Sequence, residues 1–146
     1  MRPVPEILLV DDNPADIDLI SDVLAKSKRC SHVSNVNDGA EAMLFLRHQK
    51  KYAEVTFPDL VVLDLNLPRR SGIQVLSEMK ADPALAKIPV VIFTTSRANS
   101  DVTRTYELGA NCYLTKPGNL ADFVSTVESM ADFWLGIAKL PQKEKR

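Results

Sequence analysis

Cysteine and histidine are scarce in this sequence, with two of each among 146 residues. Cys30 and Cys112 are too few and too far apart for a disulfide framework or a thiolate metal site, and are expected to be free, buried thiols. His32 and His48 have no Cys, Asp or Glu at zinc-ligand spacing and read as surface or strand-edge side chains. An excess of one charge is missing as well. Lys and Arg number 18 against 19 Asp and Glu, a net charge of -1 with pI near 6.1. That balance supplies neither the basic face that nucleic acid requires nor an acidic tail. Long apolar runs are also absent: MRPVPEILLVDD meets charge soon after its short apolar stretch, and no segment approaches the roughly 18 residues of a membrane span. The expectation is a soluble, cytoplasmic protein with no nucleic-acid or membrane partner.

What is present is a set of short apolar runs, in a chain that is 45% hydrophobic and so able to bury a core. Ile7–Val10 is bounded by Pro5 and by Asp11-Asp12, which predicts a buried strand. Asn13-Pro14 predicts an N-cap with proline at the first helical position, and Ile17, Ile20 and Leu24 share a face as far as KSKR. His32–Asn35 reads as a second strand, and Asp38-Gly39 opens a second helix that ends in RHQKK. Leu60–Leu63 lies in PDLVVLDLNLP and predicts a strand buried on both faces, with Asp64 at its C-terminal mouth. Gly72, Val75, Leu76 and Met79 mark a third helix, and PVVIF at 89–93 a fourth strand followed by Thr94, Thr95 and Ser96. From 97 to 109 the apolar pattern thins, which predicts a helix that buries little and can move. Cys112–Thr115 is a short fifth strand, and Asn119 caps a last helix running through Trp134.

Short apolar strands alternating with helices predict an α/β doubly wound parallel sheet of five strands covered on both faces. One domain is expected over 1–146, with its core at about 6–133, an extended C-terminal helix and frayed tail over 134–146, and no output domain. In such a sheet the C-terminal strand ends share one edge. Asp11 and Asp12, Asp64, Thr94 and Lys116 should therefore meet in one cleft. Three carboxylates repel unless a cation offsets them, and hard oxygen ligands without His or Cys select Mg²⁺. A carboxylate nucleophile beside Mg²⁺ and a lysine is suited to accept a phosphoryl group.

These motifs resemble the receiver domain of two-component response regulators: VDD at 10–12, LDLNLP at 63–68, FTTS at 93–96, GA at 109–110 and YLTKP at 113–117. The resemblance covers about 7–133. It implies the flavodoxin-like receiver fold with strand order 2-1-3-4-5 and a sensor histidine kinase as phosphoryl donor. It further implies Asp64 as phosphoacceptor and Asp11, Asp12, Asp64 and the backbone carbonyl of Asn66 as metal ligands. Thr94 and Tyr113 would be the switch pair, Lys116 the charge partner, and Lys116-Pro117 a cis bond. Thr95 stands where receivers commonly carry a smaller residue, which would narrow access to the acceptor. TTS at 94–96, NCYLTKP at 111–117, KKYAEVTFPDL and DFWL at 132–135 look like the single-domain regulators of bacterial phytochromes. That likeness implies a phytochrome kinase as partner and no chromophore on the regulator itself.

Two other readings are open at this stage. A haloacid-dehalogenase-type phosphatase also places an Asp nucleophile after a strand with Mg²⁺, but needs a second Asp two residues on, where this chain has Asn66, which cannot exchange a proton near neutral pH. A pseudo-receiver would use the fold for interaction alone; the intact set Asp11, Asp12, Asp64, Thr94 and Lys116 argues against it. The expected role is therefore a phosphoacceptor signalling protein rather than an enzyme acting on external substrates. In the last helix Phe133 and Ile137 leave the face of Phe123, Val127 and Trp134. An apolar surface wider than one core can cover suggests a homodimer, with Phe133, Trp134 and Ile137 as interface candidates and signalling to a downstream protein through the helix 4, strand 5 and helix 5 surface.

Overall fold

In a computed structural model the described residues are 4–141; the predicted frayed tail beyond Pro141 lies outside them. The elements follow one another as β1 (Glu6–Val10), α1 (Pro14–Lys26), β2 (His32–Val36), α2 (Gly39–Leu46), β3 (Leu60–Leu63), α3 (Gly72–Ala81), β4 (Val90–Thr94), α4 (Asn99–Glu107), β5 (Cys112–Thr115) and α5 (Leu120–Ala131). All pairings are parallel and the sheet order is β2-β1-β3-β4-β5. This is the predicted doubly wound α/β fold. A 3-10 turn, Lys50–Tyr52, interrupts the loop before β3, and a π-helical turn, Asp132–Ile137, extends α5.

The strands read as continuous apolar runs because both faces of the sheet are covered, yet their side chains still alternate. Leu8, Val10, Val61, Leu63, Val90 and Ile92 join Met43, Leu46, Leu76 and Met79 in one core, under α2 and α3. Ile7, Leu9, Leu60, Val62, Val91 and Phe93 join Ile20, Leu24, Phe123 and Val127 in the other, under α1 and α5. Each fully buried Leu, Ile or Phe contributes about 1.5–3 kcal/mol.

Caps set the helix starts. Asn13, Asp38 and Asn119 each accept a hydrogen bond from the backbone N–H three residues on, and Ser71 with Gln74 forms a full capping box. α4 differs: Ala98 at its N-cap offers no side-chain bond, and Thr105 is the one fully buried residue of the helix. Its low burial agrees with the weak pattern at 97–109.

Two expectations fail in detail. Both cysteines are free, but neither is fully buried: Cys30 is exposed and Cys112 half-buried. Cys30 stands in the polar turn between α1 and β2, while Cys112 opens an edge strand with a sheet neighbour on one side only. No described peptide bond is cis, so Lys116-Pro117 is trans, the lower-energy isomer even before proline. His32 is the exposed edge group expected, with Nδ1 2.7 Å from Oε2 of Glu6, whereas His48 is half-buried in the turn after α2, its ring edge-on to Phe57.

Gly72 ties the fold to the mouth of β3. Its N–H donates to the Leu65 carbonyl at 3.0 Å, and an added Cβ would run into the carbonyl oxygen of Asp64. Gly72→Ala should therefore cost at least about 2 kcal/mol of unfolding free energy, because backbone rather than a flexible side chain must move. Urea denaturation of the two proteins checks it.

Candidate functional site

The C-terminal ends of β1, β3, β4 and β5 deliver the predicted residues to one edge. The Asp64 N–H continues the ladder by donating to the Val10 carbonyl at 2.9 Å, and the Lys116 N–H donates to the Thr94 carbonyl at 2.7 Å. These bonds fix the backbone at both sides of the cleft. Asp11, Asp12 and Asp64 each present an oxygen within 4.8 Å of the others. Asp11 and Asp64 are buried, and Asp12 is exposed at the rim.

Lys116 is the cation among them. Its Nζ donates to Oδ2 of Asp11 at 2.7 Å, of Asp16 at 2.8 Å and of Asp64 at 3.0 Å. An ammonium has three donors, so this set uses all of them. Two further donors come from the backbone: Asn13 N–H to Asp11 Oδ1 at 2.9 Å and Asn66 N–H to Asp64 Oδ1 at 3.2 Å. Burial pushes the Asp11 carboxyl up from its ordinary value, against the pull of the Lys116 ammonium and the Asn13 N–H. Burial also works against the Lys116 charge, but the carboxylates of Asp11, Asp16 and Asp64 outweigh it and hold Lys116 above the usual lysine range. The ammonium is thus a fixed charge at neutral pH. Its contribution to stability is complete below the ordinary lysine value of 10.5 and is lost only as pH rises through the higher folded value.

The donor set fits a hard divalent cation. It offers carboxylate oxygens, two of them buried, with neither imidazole nor thiolate near. Asp11, Asp12 and Asp64 would hold the ion.

The remaining expected residues are also placed. Thr94 is fully buried at the end of β4, and Thr95 is exposed beside it. The Tyr113 hydroxyl donates to the Ser96 carbonyl at 3.0 Å, two residues beyond Thr94. The Ser96 hydroxyl donates to Asp101 in the first turn of α4, and the Tyr113 N–H donates to the Tyr106 hydroxyl at 3.1 Å. Asn66 is exposed in the loop after β3. Phe133 and Ile137 are 48% and 76% exposed, whereas Trp134 packs against the α1–α5 core. They stand at the end of α5, outside the strand-end site. Sequence reasoning missed Asp16, whose only signal was a carboxylate in the first turn of α1. It also missed Asp101 and Tyr106, for which the sequence carried none.

Residues 7–128 match the family of the response regulator receiver domain, and the chain belongs to it. It is 45% identical to the response regulator Rcp1 of Synechocystis sp. over 96% of this chain and 95% of that one. Among solved structures, the phosphorylated cyanobacterial phytochrome response regulator RcpA superposes with a TM-score of 0.93 at 46% identity, over 96% of this chain and 100% of that one. The Mn²⁺-bound form of Rcp1 superposes with a TM-score of 0.92 at 44% identity, over 94% and 99%. The protein is thus a two-component receiver related to phytochrome response regulators. Among the described residues no helix is long and apolar enough to cross a membrane.

Removing the Lys116 charge leaves Asp11 and Asp64 buried without their cation. Lys116→Met should lower the unfolding free energy by about 3–5 kcal/mol at pH 7 in metal-free buffer, the cost of breaking a buried charge pair. The loss should shrink towards pH 5. Asp11 already has a raised folded value and, without its partner, takes up a proton more readily still, so its penalty grows as pH rises through that value. Urea unfolding at the two pH values measures both effects.

Proposed function

We propose that this chain is a phosphoacceptor: Asp64 takes a phosphoryl group from the phosphohistidine of a sensor kinase, with Mg²⁺ as the cofactor. The observation that carries the reading is Lys116 Nζ, 3.0 Å from Asp64 Oδ2 within an acidic cluster that no other described cation enters at hydrogen-bond distance. In the transfer an Asp64 oxygen forms the new O–P bond as the N–P bond to imidazole breaks, and the nitrogen keeps that electron pair. A bound divalent cation would neutralise the carboxylates and the phosphoryl oxygens as charge builds on them. Lys116 donates to a phosphoryl oxygen on the other side, in place of one of its three carboxylate bonds.

The phosphorylated site gains about 1.5–2 negative charges and strong acceptor oxygens. Thr94, at the neighbouring strand end, is drawn towards that charge. Tyr113 senses the movement through Ser96, whose carbonyl holds its hydroxyl and whose side chain holds Asp101 of α4. The surface of α4, β5 and α5 therefore carries the signal. α4 is the α-helix with the fewest fully buried residues to resist it. Overcoming a 1:99 bias between the two forms takes about 5.5 kcal/mol of differential stabilisation.

Similarity to Rcp1 and RcpA supports a phytochrome as the kinase. The exposed Phe133 and Ile137 support a homodimer through the end of α5. Residues 7–128 then act as the receiver, which reaches a downstream protein by contact.

Acetyl phosphate or phosphoramidate should label the wild type only with Mg²⁺ present. The label should disappear in Asp64→Asn and fall in Lys116→Met; labelling that persists in Asp64→Asn would sink the assignment. Sedimentation should give a dimer for the wild type and a monomer for Phe133→Asp combined with Ile137→Glu. Identical masses for the two proteins would remove the dimer.

A further inference from the structure

The Lys116 ammonium has no donor to spare. Its bonds run to Asp11, Asp16 and Asp64 at 2.7, 2.8 and 3.0 Å, and a phosphoryl oxygen on Asp64 must take one of them over. The three carboxylates differ in what release costs. Asp11 has a side chain 2% exposed, so freeing it would strand a buried charge. Asp64 can form its O–P bond through Oδ1 and keep Oδ2, then a carbonyl oxygen, as an acceptor for Lys116. The Asp16 side chain is 23% exposed, in the first turn of α1, where water can replace the ammonium and the helix N-terminus already favours a negative charge. Its own N–H is engaged by Asn13 at 3.1 Å, so the backbone beneath it is fixed while the carboxylate can turn outward.

We infer that Asp16 is a positioning residue that holds Lys116 in the resting site and competes with the phosphoryl group for it. The inference rests on the acceptor reading of Asp64 and adds a determinant outside the strand-end residues. Phosphorylation then exchanges the Lys116–Asp16 bond for one to a phosphoryl oxygen, and the affinity of the site for that group depends on how firmly Asp16 holds on. α1 is thereby joined to the chemistry: releasing Asp16 frees a side chain of its first turn.

Beryllofluoride, a phosphoryl stand-in that forms on carboxylates, tests this on the intact chain with saturating Mg²⁺. In Asp16→Asn the half-saturating concentration should fall about two- to fivefold, the range expected when a partly exposed ion pair no longer competes. In the resting protein the Lys116 ammonium protons, followed by ¹⁵N NMR, should exchange with water faster in the variant than in the wild type. Asp16→Glu, which keeps the carboxylate, should restore most of both values, and Asp16→Ser should behave like Asp16→Asn. Equal half-saturation in the wild type and in both Asn and Ser variants overturns the competition. Tighter binding with unchanged Lys116 exchange also overturns it, since a bare charge effect would then suffice. A wild type that binds no beryllofluoride removes the acceptor reading itself, and the competition with it.

Discussion

One buried ammonium holds the functional edge of this protein together. The ends of β1, β3 and the first turn of α1 each supply a carboxylate, and without a cation their mutual repulsion would push the strand ends apart. Lys116, delivered by the end of β5, binds all three within 3.0 Å. It crosses 105 residues of chain to Asp11 and 52 to Asp64, so the contact forms only once the sheet has closed. The site is in this sense a product of the topology: the order β2-β1-β3-β4-β5 places β1 and β3 side by side, with β5 two strands beyond β3.

The same arrangement that stabilises the resting state poises it for chemistry. A fully engaged ammonium and an adjacent oxygen cluster form a preorganised electrostatic setting, and little needs to move when charge arrives. The movement proposed for the switch lies on the less buried side. α4 has no side-chain cap at its N-terminus and one fully buried residue, and it is tied to its neighbours by polar contacts among Ser96, Asp101, Tyr106 and Tyr113. Hydrogen bonds of this kind exchange at low cost when partners shift. The two apolar cores under α2–α3 and α1–α5 give the rest of the domain the rigidity against which such a shift is felt.

Much of this was legible in the chain. Continuous apolar runs ending in Asp11, Asp64 and Thr94 mark strands buried on both faces, and Asn13, Asp38 and Asn119 announce three helix starts by their capping chemistry. The acidic cluster followed from parallel topology alone. Asp16 did not, because an acidic residue in a helical first turn has a sufficient local reason to be there and nothing in its spacing from Lys116 indicates that they touch. Asp101 and Tyr106 were hidden for the same reason: each is an ordinary helix residue until β5 lies beside α4. The exposure of Cys30 was misjudged because residue type was weighed above its setting in a basic, polar turn. The Lys116-Pro117 bond was expected to be cis by resemblance, and it is trans in a site that is nonetheless assembled.

Asp64 is the proposed acceptor, and an acyl phosphate can be trapped where it forms. Borohydride reduces an aspartyl phosphate to homoserine, so treating the protein after incubation with a phosphorylated kinase and Mg²⁺, followed by peptide mass spectrometry, reads the position directly. Homoserine at position 64, and at no other aspartate, is the result expected. Homoserine at Asp11, Asp12 or Asp16 with Asp64 intact, or phosphate retained on a residue outside the cluster, would contradict it.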